Sequence, residues 1–406
     1  MRRHVHFISL FSLILFACIA NAQHDRFLYA ITDLHKDGAG WNALRKMDLK
    51  TGEFSQVLLN GADAGMAVYD AETKKPLSSA DGRYTNGMQS PFGTGVAAAA
   101  YDKKNNRIWY TPMFADQLRY IDLRSMKVFY VTDKPITVHT DEAEIITRMV
   151  IAPDGFGYAV SNDGNTFIRF STGKKIKIEN LGSLVDDPDN NAISVHNRCS
   201  SFGGDMIADD NGHLYLFTAR NHVFKVNIAT KVATHLGAVS GLPQNFTING
   251  AAVTDEGMIL AGSALNNQKW VLIDPVKWSA VEYNLPAGIV RSSDLANSNY
   301  LLSNNKKTVT EIIASSSALA NDIIIYPNPV YNNQFTIEFR KLEKGDYAVA
   351  LTDITGRVVQ RKLLSVGAEG QVENFVIDKN TSRGVYLINV TDRKNKSVFT
   401  QKLIVQ

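Results

Sequence analysis

A strand-like segment recurs along the first three quarters of the chain, and its spacing limits the folds open to it. It reads Leu44-Arg45-Lys46-Met47-Asp48-Leu49-Lys50-Thr51-Gly52, then Leu118-Arg119-Tyr120-Ile121-Asp122-Leu123-Arg124-Ser125. Further copies are Phe167-Ile168-Arg169-Phe170-Ser171-Thr172-Gly173, Val223-Phe224-Lys225-Val226-Asn227-Ile228-Ala229-Thr230 and Trp270-Val271-Leu272-Ile273-Asp274-Pro275. Their starting points are 74, 49, 56 and 47 residues apart. Apart from the first interval, this is the spacing of a four-stranded propeller blade, about 40–50 residues. A second strand precedes each copy: Phe27–Ala30, Arg107–Tyr110, Gly157–Val160, His213–Phe217 and Met258–Ala261. No window between 27 and 310 holds a helical period, so this region reads as all-β.

A further unit begins at Ser293-Asp294-Leu295-Ala296 and continues to Thr310. The N-terminal unit lacks an obvious first strand. A ring that shares strands between its two ends removes its open edges. Six blades are expected, with the insert from Asn60 to Gly95 leaving five or seven open. The repeat's own chemistry is structural. Asp154-Gly155, Asn211-Gly212 and Glu256-Gly257 occupy equivalent turns, where such residues tolerate left-handed backbone. Gly204-Asp205-Met206 with Leu214-Tyr215, and Ser293-Asp294-Leu295-Ala296, resemble the blade motif of bacterial secreted propellers. That resemblance implies a fold and no particular activity.

The chain start points to export. Arg2 and Arg3 precede an apolar run, Phe7 to Ala20, and Ala20-Asn21-Ala22 follows. This is the layout of a secretory signal peptide, with cleavage expected after Ala22. Leu15-Phe16-Ala17-Cys18 offers a lipoprotein-like alternative, which bulky Phe16 disfavours. Without Cys18 the only cysteine is Cys199, which reads as a small buried apolar residue and not a nucleophile. Without the signal peptide, 41 basic residues face 40 acidic ones, which gives no electrostatic footprint for nucleic acid.

After the small-residue linker at 313–321, residues 322–406 read as six or seven short strands, enough for a small β-sandwich. Tyr326-Pro327-Asn328-Pro329 opens this segment. Asp353-Ile354-Thr355-Gly356-Arg357-Val358-Val359 lies in its middle. Gly384-Val385-Tyr386 and Lys402-Leu403-Ile404-Val405 close it. As plain β-structure, the prolines shape a domain entrance, the glycines serve turns and Val385 to Ile388 form a strand. Together these motifs resemble the type A C-terminal sorting domain of the type IX secretion system of Bacteroidota. The resemblance implies passage through the periplasm and recognition by the outer-membrane translocon. It also implies removal of the domain by a sortase-like peptidase, and release or attachment to surface lipopolysaccharide. Tyr326, Pro327, Asn328, Pro329, Gly356, Arg357, Gly384, Tyr386 and Lys402 are the residues that carry it.

No nucleophile elbow, phosphate loop or metal-ligand spacing is present, so no catalytic residue, metal or cofactor is expected. Asp186 to Asn191 form an acidic loop without the full calcium-loop pattern. His196-Asn197-Arg198-Cys199 reads as a crowded polar loop. In a propeller, the loops entering the innermost strands converge on the central channel. They lead here to Arg148, Asp205, Asn249, Arg291 and Asp294, which could grip a polar ligand or pair with one another. Two function classes follow. One is a secreted binding module for glycan or protein. The other is an extracellular polymer-degrading hydrolase or lyase, with channel carboxylates as acid and base.

Overall fold

The computed structural model describes residues 25–35, 38–78, 90–137, 141–266, 269–283, 285, 290–301, 323–353, 357–378, 381–393 and 397–406. The expected signal peptide, the linker at 313–321 and Gly356 lie outside them. Two compact units make up the chain, Met1–Asn304 and Asn305–Gln406.

In the first unit the described residues form five antiparallel sheets of propeller type. Blade 1 runs outward from Asp294–Ala296 through Phe27–Thr32 and Ala43–Asp48 to Leu59–Asn60. Blade 2 comprises Val96–Asp102, Arg107–Pro112, Gln117–Asp122 and Lys127–Pro135. Val68–Asp70 adds a parallel fifth strand at its outer edge. Blade 3 holds Ile146–Ile151, Phe156–Ser161, Phe167–Ser171 and Ile178–Gly182. Blade 4 holds Asp205–Ala208, His213–Phe217, His222–Asn227 and Val232–Ala238, with Val185–Asp186 outermost. Blade 5 holds Gly250–Val253, Ile259–Gly262, Trp270–Asp274 and Ser279–Tyr283.

The five innermost strands touch in ring order and close on themselves. This corrects the expected six blades. The segment read as a sixth unit is the inner strand of blade 1, with Asp294 opposite Ile31 and Ala296 opposite Tyr29. Joining the two ends of the ring in one sheet, as expected, leaves no open inner edge.

Local chemistry explains why the blades repeat. Each second strand ends at or beside a hydroxyl residue with no solvent exposure: Thr32, Thr111, Ser161, Thr218 and Ser263. The Thr218 hydroxyl accepts the N–H groups of Arg220 at 3.3 Å and His222 at 3.1 Å. Ser263 does the same for Leu265 at 3.2 Å and Asn266 at 3.1 Å. A side chain that substitutes for backbone in this way closes the following loop. At the third strand's end, Asp122, Asn227 and Asp274 each accept N–H groups two and three residues on. Left-handed Met126, Lys231 and Trp278 follow them. Gly155, Gly212 and Gly257 take φ of 81°, 81° and 82°, so the three equivalent turns need glycine's freedom.

Packing between blades is aromatic and aliphatic. Trp109 of blade 2, fully buried, lies 4.8 Å from the Tyr120 ring and 5.2 Å from Phe170 of blade 3. Truncating such a residue to alanine costs about 3–5 kcal/mol.

The second unit is a sandwich of seven described strands. One sheet is Ile323–Tyr326, Gln334–Phe339 and Gln371–Val376. The other is Val358–Val366, Gly345–Asp353, Gly384–Thr391 and Ser397–Val405. Strict alternation along Gln334–Phe339 buries Phe335, Ile337 and Phe339 between the sheets with Leu351, Ile388 and Leu403.

Candidate functional site

The sequence reading placed a site at the channel entrance, and the five residues do sit at or near the starts of inner strands. Asp205 and Asp294 begin theirs, Arg148 lies within Ile146–Ile151, and Asn249 and Arg291 precede theirs. Asp205 and Asp294 come together, each without solvent exposure. Asp205 Oδ2 accepts the N–H of Ala251 at 2.6 Å and of Leu295 at 3.3 Å, while Oδ1 accepts that of Met206 at 2.6 Å. Asp294 Oδ2 accepts the N–H of Ala99 at 3.0 Å. These bonds stitch the inner strands of blades 1, 2, 4 and 5 together.

Asp294 Oδ1 has no N–H donor and faces the Asp205 carboxylate. Burial pushes the affinity of both groups for protons upward, Asp205 to about 8 and Asp294 well above the carboxylate range. Asp205 already accepts three N–H groups, so the shared proton belongs on Asp294. Arg148 is also fully buried. Its Nη1 donates to the Ser161 carbonyl at 3.0 Å, and its Nη2 donates to the carbonyls of Gly203 at 2.8 Å and of Ser201. Burial lowers its pKa to about 10, and the Asp205 charge opposes that shift. Arg148 therefore stays charged at neutral pH and faces Asp205 as its counter-charge.

Asn249 and Arg291 are half-buried. Asn249 Oδ1 accepts from Thr247 Oγ1 at 2.6 Å and from the Ala264 N–H at 3.0 Å, which closes its own blade's loop. Arg148, Asp205 and Asp294 are thus engaged with the protein's own backbone.

A cavity of about 10 Å³ lies between the inner strands, lined by residues such as Ala99, Met149, Met206, Ala251 and Leu295. That is at most one water. The chain leaving blade 1 crosses towards blades 5 and 4 at the far ends of their inner strands. Asn297 Nδ2 donates to the Val253 carbonyl at 2.7 Å. Asn299 Nδ2 donates to the carbonyls of Val253 and Asp25, both at 2.9 Å, and Asn299 Oδ1 accepts the Asp25 N–H at 2.6 Å. Leu301 then bridges Asp209 beside blade 4. Nothing in the local sequence 297–301 signals this role, because its partners are remote in the chain.

Two larger cavities lie at blade edges. One, of 370 Å³, lies between blades 1 and 5 and is lined by Leu49, Lys50, Asp255, Glu256 and Tyr283 among others. The other, of 160 Å³, lies between the outer edges of blades 2 and 3. Elsewhere, the acidic segment 186–191 is built into blade 4. Asp186 accepts the Val195 N–H at 2.8 Å, and Asp187 accepts from Thr234 Oγ1 at 2.7 Å. Among the described residues no three His, Cys, Asp or Glu side chains gather as a metal site. Arg198–Ser201, read as loop, is a short helix capped by Asn197, and Cys199 on it is exposed, which corrects its expected burial.

In the second unit, the motif residues at its start and its end meet. Asn328 Oδ1 accepts the Ile404 N–H at 3.0 Å, and Asn328 Nδ2 donates to the Lys402 carbonyl at 2.7 Å. Val330 then bridges Val405, and the peptide bonds before Pro327 and Pro329 are both cis. Arg357 bonds Asp353 through its backbone N–H and its guanidinium, both at 3.1 Å. Gly384 opens its strand, and Tyr386 donates to the Ser382 carbonyl at 2.6 Å. Tyr326 and Lys402 face solvent.

Residues 324–406 match the family of secretion system C-terminal sorting domains. No curated protein matches the chain. Among solved structures, it is similar to PorZ, a surface component of the type IX secretion system of Porphyromonas gingivalis. Identity is 14%, coverage is 93% of this chain and 51% of PorZ, and the TM-score is 0.29. It is also similar to the extracellular domain of a hybrid two-component protein of B. thetaiotaomicron. There identity is 13%, coverage is 91% of this chain and 53% of the other, and the TM-score is 0.36. Virginiamycin B lyase of Staphylococcus aureus gives 12% identity, 77% and 85% coverage and a TM-score of 0.31. The chain thus spans about half the length of the first of these. The propeller assignment rests on the closed ring of sheets and not on these likenesses.

Proposed function

Starting from a chain that carries a type IX sorting domain at its C-terminus and is therefore exported to the cell surface or beyond, we propose that its propeller is a binding module for glycan or protein. The observation that carries this reading is the burial of the channel carboxylates. The carboxylates that a hydrolase or lyase would use as acid and base are fully buried and bonded to backbone N–H groups. Among the described residues neither carboxylate has solvent exposure, and the cavity between the inner strands is smaller than a sugar ring. The remaining cavities face outward at blade edges, where a surface-displayed protein meets its ligands.

The proposed layout is a signal peptide at 1–22, a propeller at 23–312, a linker at 313–321 and a sorting domain at 322–406. Its proposed partners are the secretion translocon and a sortase-like peptidase, with surface lipopolysaccharide as the anchor. A glycan array and a polymer-hydrolysis panel, both run on the exported protein, test the reading. Binding without turnover is expected. Catalytic release of sugar or peptide fragments would overturn it.

A further inference from the structure

The one long interval in the repeat adds an outer strand to blade 2, as Val185–Asp186 does to blade 4. Its insert supplies Val68–Asp70, which runs parallel to the outer strand of blade 2 with Val68 opposite Val128 and Asp70 opposite Tyr130. The turn that follows faces the outer hairpin of blade 3, and a cavity of 160 Å³ lies between them. Asp70 fixes the near wall. Its Oδ1 accepts the N–H groups of Glu72 at 3.0 Å and Thr73 at 2.6 Å, and its Oδ2 accepts from Thr132 Oγ1 at 2.7 Å. Lys134 Nζ donates to the Ile176 carbonyl at 2.8 Å and ties the two walls together. The floor is aliphatic and buried, from Ala71, Val131 and Ile176.

Three side chains at the rim stay available. Lys174, Lys175 and Glu72 are exposed, and none has a side-chain hydrogen bond or ion pair among the described residues. With Lys134, three ammonium groups face one uncommitted carboxylate. The excess of positive charge favours an anion. Glu72 supplies an acceptor for hydroxyl groups, and with the buried Asp70 carboxylate it repels a ligand that is acidic throughout. Drug-sized ligands occupy sites of about 300–1,000 Å³, so this cavity suits one small unit of a longer chain.

We propose that this groove binds a sugar unit carrying one acidic group, as in an acidic polysaccharide. The proposal rests on the binding-module reading above and names its ligand class. Lys174 and Lys175 hold the acid, Glu72 accepts ring hydroxyls, and the aliphatic floor takes an apolar face of the ring.

Calorimetric titration of the full chain tests this. The probes are trigalacturonate, its methyl ester, a sulfated disaccharide and an Asp/Glu hexapeptide. Trigalacturonate is expected to bind, and the double variant K174A/K175A to weaken it about tenfold. The methyl ester should lose a similar factor, and 0.5 M salt should weaken binding further. The sulfated probe separates recognition of charge from recognition of a carboxylate: binding equal to the uronate supports a general acidic-sugar site. Both lysines are exposed, so the variant should keep the parent's melting temperature. Unchanged affinity in K174A/K175A, equal binding of the methyl ester, tighter binding of the hexapeptide, or no binding of either acidic sugar would overturn the proposal. The binding-module reading falls separately, if a glycan array and a protein-capture screen are both empty or if the hydrolysis panel shows turnover.

Discussion

The side chain of Asn328 stands in for a neighbouring strand beside Ile404, accepting its N–H at 3.0 Å while donating to the Lys402 carbonyl at 2.7 Å. Two motifs some seventy positions apart therefore form one structural feature, and the final strand is held at the point where the sorting unit begins. Replacing Asn328 with alanine removes both bonds. Because the site is exposed, the expected loss is about 1 kcal/mol. Hydrogen exchange should quicken within 397–406, while exchange in the blades stays unchanged. Equal protection of the last strand in N328A would show that the asparagine does not hold it.

The aspartate pair makes stability depend on pH. Both acids bind protons more tightly folded than unfolded, so their contribution is complete below about pH 4 and is lost as pH rises toward about 8, where the pair gives up its shared proton. D294N keeps an acceptor for Ala99 and a donor for Asp205 without the shared proton. Its melting temperature should therefore fall less than the parent's between pH 5 and pH 8.5. D205N leaves the N–H groups of Met206, Ala251 and Leu295 poorly served and Arg148 without its counter-charge. A loss of about 3 kcal/mol or more is expected at every pH. Parallel pH profiles for parent and D294N would contradict the shared proton.

A histidine pair acts in the opposite direction. His222 Nδ1 and His235 Nε2 lie 3.0 Å apart, and burial lowers the pKa of both, with the mutual charge adding to the effect on His235. Groups that resist protonation when folded stabilise the protein above their unfolded value, about 6.5, and lose that contribution as pH falls. H235Q should flatten the decline in melting temperature below pH 6. An unchanged acid limb would mean that the pair is not what titrates.

The buried hydroxyls at the second-strand ends supply a further test. Thr218→Val keeps the shape of the side chain and removes the acceptor for Arg220 and His222. A loss of about 1–2 kcal/mol is expected from denaturant midpoints, since two N–H groups lose a partner. Thr→Ser at the same position should restore most of it.

Much of the propeller is legible from the sequence because its signals are local. Phe27–Thr32, Arg107–Pro112, Phe156–Ser161, His213–Phe217 and Ile259–Gly262 are the five strands that the aromatic and aliphatic runs mark. Their terminal Thr or Ser residues give the count of five directly. The sixth-blade reading fails because Asp294–Ala296 looks like a unit's start, and only its pairing with Phe27–Thr32 shows that it completes the first. The channel residues divide in the same way. Their positions follow from the repeat, but their engagement does not. The N–H groups that Asp205 and Asp294 accept come from residues 46, 90 and 195 positions away. The cavity between blades 2 and 3 is equally hidden, because one wall comes from an insert that breaks the repeat. The sorting unit is legible for the reverse reason: its motifs are short and local, and the family match over 324–406 bears out the resemblance to a sorting domain.

Fractionation of a Bacteroidota host expressing the full chain beside a chain lacking 322–406 tests the central claim most directly. Full-length protein should reach the cell surface or the medium. The truncated form should stay in the periplasm, with its propeller still folded by protease resistance, because each blade buries its apolar strands against its neighbours. Removing only 402–406 should have the same effect, since it takes away both Asn328's partners and the end of the last strand. Surface or medium levels of either truncated protein equal to those of the full chain would contradict the account.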